Sequence, residues 1–257
     1  MEHLLGIEWE IVPAGGATGK AFFAQYEDQK LFLKRNSSPF LAVLSAEGLV
    51  PKLVWTKRLE TGDVITAQQW LNGRELSPPE MNDEKVAKLL RKIHLSEPLL
   101  GMLSRLGIKP ILAPSFLHMV QQGLDTDLMQ IQSVKKSAEF LAKEVNNIKS
   151  EKLVVCHGDV NHNNWLLSEN NQLYLIDWDG AMIGDPAMDL GLLLYWYIPE
   201  GDWSAWLKLY GIDATEDLML RMKWYVIAHT LASIHWHKKQ SRFPEMKRWI
   251  DYLDKIL

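Results

Sequence analysis

The chain has 257 residues, 47% hydrophobic and 23% charged, with a formal net charge of −4. That is the composition of a globular protein with length enough for two lobes and a sizeable core. Without a long basic run it carries no footprint for non-specific nucleic-acid binding. A single cysteine, Cys156, excludes an intramolecular disulfide and suits a reducing compartment, so the expected location is cytoplasmic. The opening residues, M-E-H-L-L-G-I-E-W-E, lack the basic flank and long apolar core of a secretory leader. The longest apolar stretch, Leu192 to Ile198, falls far short of the ~20 residues that span a bilayer. Eleven tryptophans are unusual; most are expected in the core and in lobe packing, with a minority lining a pocket.

The first 70 residues have strand character. Phe22 to Tyr26 and Leu31 to Lys34 read as a hairpin about a polar turn at Glu27 to Lys30, and Val64 to Trp70 reads as a further strand. A short helix over 39–46 ends at Gly48. The character changes at Leu71-Asn72-Gly73-Arg74. Ser77-Pro78-Pro79-Glu80 has the form of a capping box with proline at the first helical position, opening a helix that runs to about His94. Further helical patterns lie near 114–123, 126–148, 187–198, 202–210, 215–239 and 244–256. The chain has no internal repeat and no low-complexity segment. The expected fold is therefore α+β and bilobal. Residues 1–71 form a small strand-rich lobe with an antiparallel sheet, and residues 72–257 form a larger helical lobe.

The most informative residues are His157-Gly158-Asp159-Val160-Asn161-His162-Asn163-Asn164, the pattern H-G-D-x-x-x-x-N. In phosphoryl-transfer loops of this form the Asp orients the attacking hydroxyl and the Asn holds a magnesium ion. A second carboxylate is expected on a nearby strand, and Leu173-Tyr174-Leu175-Ile176-Asp177 supplies it. Trp165 to Leu167 and Leu173 to Ile176 are apolar runs around the polar turn S-E-N-N-Q, so the region reads as a hairpin, which brings its two ends, with Asn164 and Asp177, together. Asp159 is thus the expected catalytic residue, and Asn164 and Asp177 are the expected metal ligands. His157 is read as holding the loop, and His162 as a substrate or phosphate contact. Asp179 is read as aiding the metal or binding the acceptor, and Asp189 as bracing the loop from the head of a helix. Cys156 is read as a small buried strand residue. His229, His235 and His237 are six and eight positions apart, do not share one helical face, and are not read as a zinc site.

With this loop in place the strand-rich lobe acquires a nucleotide-binding reading. Ala14-Gly15-Gly16-Ala17-Thr18-Gly19-Lys20 fails the Walker A pattern at positions 14 and 21. It fits a degenerate glycine-rich loop in which Gly16 and Gly19 let backbone amides approach phosphate; the alternative is an ordinary turn. Lys34 shares a strand face with Phe32, opposite Leu31 and Leu33, and is the expected phosphate-binding lysine rather than Lys30 or Arg35. Its expected carboxylate partner is Glu47. Gln69 and Leu71, in the stretch joining the lobes, are expected to meet an adenine edge through backbone groups; the alternative is a plain linker.

These motifs resemble the aminoglycoside phosphotransferase and choline kinase family. The resemblance covers nearly the whole chain and is strongest over 153–191. H-G-D-V-x-H-x-N-W, L-I-D-W-D and S-P-F-L-x-x-x-x-x-E-x-L-V-P near residue 38 look like one bacterial branch, of the CcrZ type, associated with cell-cycle control in Gram-positive bacteria. The resemblance implies a protein-kinase-like fold, ATP and Mg2+ as cofactors, and a small-molecule hydroxyl acceptor. It also implies a regulatory role, with a cell-division protein as a partner on that ground alone. Asn161, His162 and Asn163 suit hydroxyls, and Trp165, Trp178 and Trp196 offer flat faces, so a sugar or nucleoside is the favoured acceptor. Choline or an aminoglycoside is the alternative within enzymes, with Trp178, Trp196 or Trp203 as a cage for choline. A nucleotide-binding regulator acting through a partner without turnover is the alternative from another class. The D-F-G and A-P-E marks of protein kinases are missing.

Overall fold

The computed structural model describes residues 8–14 and 21–257. The chain divides into two compact units. The first comprises the chain up to Ser77, Glu97–Met102 and Asn161–Asp179; the second comprises Pro78–Ser96, Leu103–Val160 and Gly180–Leu257.

In the first unit, β1 (Glu10–Pro13), β2 (Ala21–Tyr26), β3 (Gln29–Arg35), β4 (Leu53–Arg58) and β5 (Val64–Gln69) form an antiparallel sheet in the order β1-β2-β3-β5-β4. Alternation along β3 sends Leu31 and Leu33 into a core with Ala24, Ile65 and Ala67, while Phe32 and Lys34 take the other face. The β2–β3 turn is tighter than the sequence suggests. Tyr26 pairs with Gln29, and Glu27 sits at φ 48°, so Lys30 belongs to the strand and not to the turn. Lys30 therefore has the same parity as Lys34 and pairs with Gln25 at the far end of the strand. The short helix α1 (Phe40–Ala46) buries Phe40 and Leu44 and is terminated by Gly48 at φ +67°, a conformation glycine adopts without strain. A second, three-stranded sheet joins β6 (Gly73–Glu75) to the hairpin of β8 (Trp165–Ser168) and β9 (Leu173–Leu175). Gly73 is required there, because a Cβ would lie 2.6 Å from the Leu167 carbonyl oxygen.

The second unit is helical. Pro78–Asn82 forms a 3₁₀ turn, and α2 (Glu84–Leu95) begins only after Asp83, whose side chain accepts a hydrogen bond from Lys85 N. α3 (Glu97–Arg105), which the sequence reading missed, follows at once and runs from the first unit into the second. The pattern at 126–148 is broken at Gln130–Ile131 into α5 (Thr126–Met129) and α6 (Gln132–Glu144), after α4 (Ala113–Gly123). α7 (Ala187–Tyr197), α8 (Trp203–Tyr210), α9 (Glu216–Lys239) and α10 (Phe243–Ile256) complete the unit. α9 is its central member, burying Met222, Trp224, Tyr225, Ile227 and Leu231. Gly191 of α7 admits the α9 backbone, since a Cβ would meet the Met222 carbonyl oxygen at 2.9 Å. A two-stranded ladder of β7 (Val154–Cys156) with β10 (Met182–Gly184) leads into the H-G-D loop. Among the described residues no helix is long and apolar enough to cross a membrane.

Candidate active site

In the first unit the hairpin does the positioning. Trp165 pairs with Leu175 and is fully buried, which fixes the open end of the hairpin. Just beyond it, Ile176 N donates to the Asn164 carbonyl oxygen at 2.8 Å. Asn164 ends a 3₁₀ turn (His162–Asn164) that Asn161 caps, its Oδ1 accepting from Asn163 N at 3.2 Å. Asn164 and Asp177 are therefore held side by side by backbone bonds, as the hairpin reading requires. Asp177 sits at φ 64°, the left-handed region in which aspartate is tolerated and most residues are strained. Such a conformation turns the chain sharply and commonly marks a functional position.

Lys34 meets this loop. Its Nζ lies 3.3 Å from Asp177 Oδ1 and donates to both oxygens of Asp179 at 3.0 Å. Glu47 stands at the C-cap of α1, and Asp177 and Asp179 are two further carboxylates that meet the lysine. Between the two carboxylates, Trp178 turns inward. Its indole N–H donates to the Leu175 carbonyl at 2.7 Å and its ring packs edge-on against Phe40. The half-buried Trp178 thus has a packing contact on one side. The side chains of Asp177 and Asp179 are 59% and 65% exposed, so both carboxylates can be approached by a ligand. Gln69 and Trp70 amides are already donated, to the Lys52 and Lys30 carbonyls, and Leu71 follows as half-buried irregular chain. Gly16 and Gly19 lie outside the described residues.

The oxygen donors of Asn164, Asp177 and Asp179 fit magnesium, which favours one or two carboxylates and completes its shell with phosphate and water. They offer neither thiolate nor imidazole, the ligands that favour zinc.

In the second unit a buried carboxylate organises the H-G-D loop. Asp189, in the first turn of α7 and wholly buried, accepts from His157 N at 2.7 Å and Gly158 N at 2.9 Å. His94 Nε2 approaches the same carboxylate at 3.1 Å, and His94 Nδ1 lies 2.7 Å from the Tyr210 hydroxyl. Burial alone would push the Asp189 carboxyl up. The His94 hydrogen bond, the charges of His94 and His157 and the Gly158 amide outweigh it and hold the group below the usual carboxylate range. Gly158 takes φ +80°, and a Cβ would crowd Met182 Cε at 2.7 Å and the Gly180 carbonyl oxygen at 3.1 Å. Asp159 then emerges exposed, its N–H directed to His157 Nδ1 at 3.3 Å. Arg221 and Asp185 pair at 2.5 Å, and Asp185 Oδ1 also caps α7 through Ala187 N.

Ligand atoms of His94, Cys156 and Asp189 lie within 4.8 Å of one another. Their bonds are already made: His94 to Tyr210 and Asp189, and Cys156 Sγ to the Asp185 carbonyl. Burial also pushes the Cys156 thiol well up, which disfavours the thiolate a metal needs. This cluster is a brace. His94 and Tyr210 were not legible as part of it, because a histidine on an apolar helix face looks like any core residue. Trp196 stands in an aromatic group with Tyr197, His229 and Trp249, and His162 opens the 3₁₀ turn half-buried.

The phosphotransferase enzyme family (APH) matches residues 10–225, and the chain belongs to that family. Solved structures share its fold. Choline kinase LicA from Streptococcus pneumoniae has a TM-score of 0.68 at 18% identity, covering 99% of this chain and 96% of that one. Spectinomycin phosphotransferase APH(9)-Ia, solved with ADP and spectinomycin, has a TM-score of 0.72 at 15% identity, covering 96% and 92%. These likenesses establish the mixed α+β, protein-kinase-like fold. An uncharacterised protein of Metamycoplasma hominis is 25% identical over 179 residues, 66% of this chain but only 32% of the relative's length.

Proposed function

We propose that the protein is an ATP- and magnesium-dependent phosphotransferase acting on a hydroxyl of a small molecule, a sugar or nucleoside being favoured. The observation that supports this best is the junction of Lys34 with Asp177 and Asp179, beside an Asn164 tied by backbone to the same hairpin. One lysine facing two exposed carboxylates is a pair of charges that a metal-bound polyphosphate can exchange into: lysine to phosphate, carboxylates to metal. Asn164 and Asp177 would hold the metal, with Asp179 beside them, and its chemistry is neutralisation of phosphate charge. Gly16, Gly19, Lys34, Gln69 and Leu71 would hold the nucleotide. The relatives solved with ADP and AMP support an adenine nucleotide.

Asp159 is assigned the acceptor. It precedes Asn164 by five residues in one loop, is exposed, and has its backbone set by His157 and Asp189. Its carboxylate orients the acceptor hydroxyl and takes its proton as the oxygen–phosphorus bond forms and the bond to the departing diphosphate breaks. Choline and aminoglycoside acceptors, taken from the names of the relatives, remain the competing substrates. A cytoplasmic location and a cell-cycle role with a cell-division partner rest on family resemblance.

The test is Asp159→Asn. We expect it to fold and bind Mg-ATP nearly as wild type while acceptor-dependent ADP release falls ~10²–10⁴-fold. Complementation of a deletion strain at matched protein levels then separates enzyme from binding regulator. Full rescue by Asp159→Asn would overturn the enzymatic account of the biological role.

A further inference from the structure

A cavity of about 420 Å³ lies in the second unit between α6, α9 and α10, and it shares no residue with the candidate active site. Gln132, Ser133, Lys136 and Phe140 line it from α6, Lys223 from α9 and Asp254 from α10. Its size is that of a small-molecule pocket. The N-terminus of α6 opens on this cavity uncompensated. The first-turn amides of Gln132, Ser133 and Val134 have no partner within the helix, and the N-cap residue Ile131 offers no side-chain acceptor. No acidic residue stands in that first turn. The positive end of the helix dipole is joined instead by two lysines. Lys136 forms no ion pair with a described residue. Lys223 makes a long bond, 3.3 Å, to the Leu257 carbonyl, with its Nζ 5.8 Å from the centre of the Phe140 ring. Asp254, the acid among these lining residues, pairs with neither lysine.

Ser133 points to what the cavity takes. It is 5% exposed, and that remnant of surface faces the cavity. Its hydroxyl forms no hydrogen bond to any described residue, yet the oxygen is not sealed. A buried helical hydroxyl ordinarily turns back to the carbonyl four residues before it, as Thr230 does to Val226 at 2.7 Å. Ser133 leaves its donor and acceptor free at the cavity wall, an arrangement that costs stability unless a ligand completes it.

We propose that this cavity binds a phosphate monoester. The anion sits on the Ser133 hydroxyl, the first-turn amides of α6, Lys136 and Lys223, and the organic part lies on Phe140. A dianion with three outer oxygens engages amide, hydroxyl and ammonium donors together. A carboxylate has two oxygens and half the charge, and answers fewer of them. A neutral or cationic ligand leaves both lysines and the helix terminus uncompensated.

The test is isothermal titration of the full chain with phenyl phosphate and with benzoate. Phenyl phosphate should bind wild type about tenfold tighter than benzoate. Ser133→Ala removes a hydroxyl without a partner and should fold as well as wild type, yet weaken phenyl phosphate about tenfold. Lys223→Gln should weaken it by a similar factor. Gln132→Glu brings a carboxylate to the exposed start of α6, so it should raise the thermal midpoint slightly while weakening the probe. Ser137→Ala makes the same change one turn on, at a hydroxyl that is also unpartnered but sealed and outside the cavity wall, and should leave binding unchanged. No binding of phenyl phosphate, benzoate bound as tightly, or equal affinities in wild type, Ser133→Ala and Lys223→Gln would each overturn the site. So would a loss in Ser137→Ala as large as that in Ser133→Ala.

Discussion

The two ends of the H-G-D-x-x-x-x-N loop are built on opposite principles. At the Asp159 end, the loop is fixed by a carboxylate with no exposure: Asp189 takes two backbone amides and a histidine, and that histidine is itself held by Tyr210. At the Asn164 end, the charges are exposed and mutually paired through Lys34. The buried set is fully engaged and has nothing to exchange. The exposed pairs are worth little in stability and are easily traded for a ligand. Geometry is thus fixed at the Asp159 end, where the proposed reaction takes a proton, and left exchangeable at the Lys34 end, where the proposed nucleotide would enter.

The comparison breaks most visibly on removal of its anchors. Asp189→Ala should strip the loop amides and His94 of their partner and cost about 3–5 kcal/mol in urea unfolding. Asp179→Ala should cost no more than about 1 kcal/mol. Near-equal losses would dissolve the distinction. The same carboxylate sharpens it in acid. Its folded pKa lies below the unfolded value of about 3.9, so its contribution is complete above that pH. The contribution is lost as pH falls through the folded value, so wild type should lose stability below about pH 4 more steeply than Asp189→Asn. Gly158→Ala should come next, at about 1–3 kcal/mol, because it forces a side chain into the left-handed region against Met182 and Gly180. The smallest effect belongs to Asp177→Gly. Relief of the left-handed backbone and the added freedom of the unfolded chain nearly cancel, so thermal unfolding should move by no more than about 0.5 kcal/mol while Mg-dependent ATP binding is lost.

What could be read from the chain follows the range of the forces involved. The hairpin at 165–177 was legible because alternation and a polar turn are local, and it places Asn164 beside Asp177 without further information. The contact of Lys34 with Asp177 and Asp179 was not, since nothing near residue 34 points to carboxylates 143 and 145 positions away. Ser77-Pro78-Pro79-Glu80 imitates a helix start, but the stretch forms a 3₁₀ turn and leaves Asp83 to cap the true helix. The break at Gln130–Ile131 is hidden because both flanks carry helical periodicity. His94 and Tyr210 lie 116 positions apart, and their roles exist only once the helices have packed.

Cys156 gives this architecture a built-in chemical clock. It is the chain's single thiol, it has no exposure, and it immediately precedes His157. Its register partner in the ladder is Met182 of β10 and its sulfur bonds to the Asp185 carbonyl, so a reagent reaches the sulfur when this buried ladder opens. The rate of alkylation in native buffer therefore reads out how often that ladder opens, at one reporter per molecule and without any introduced label.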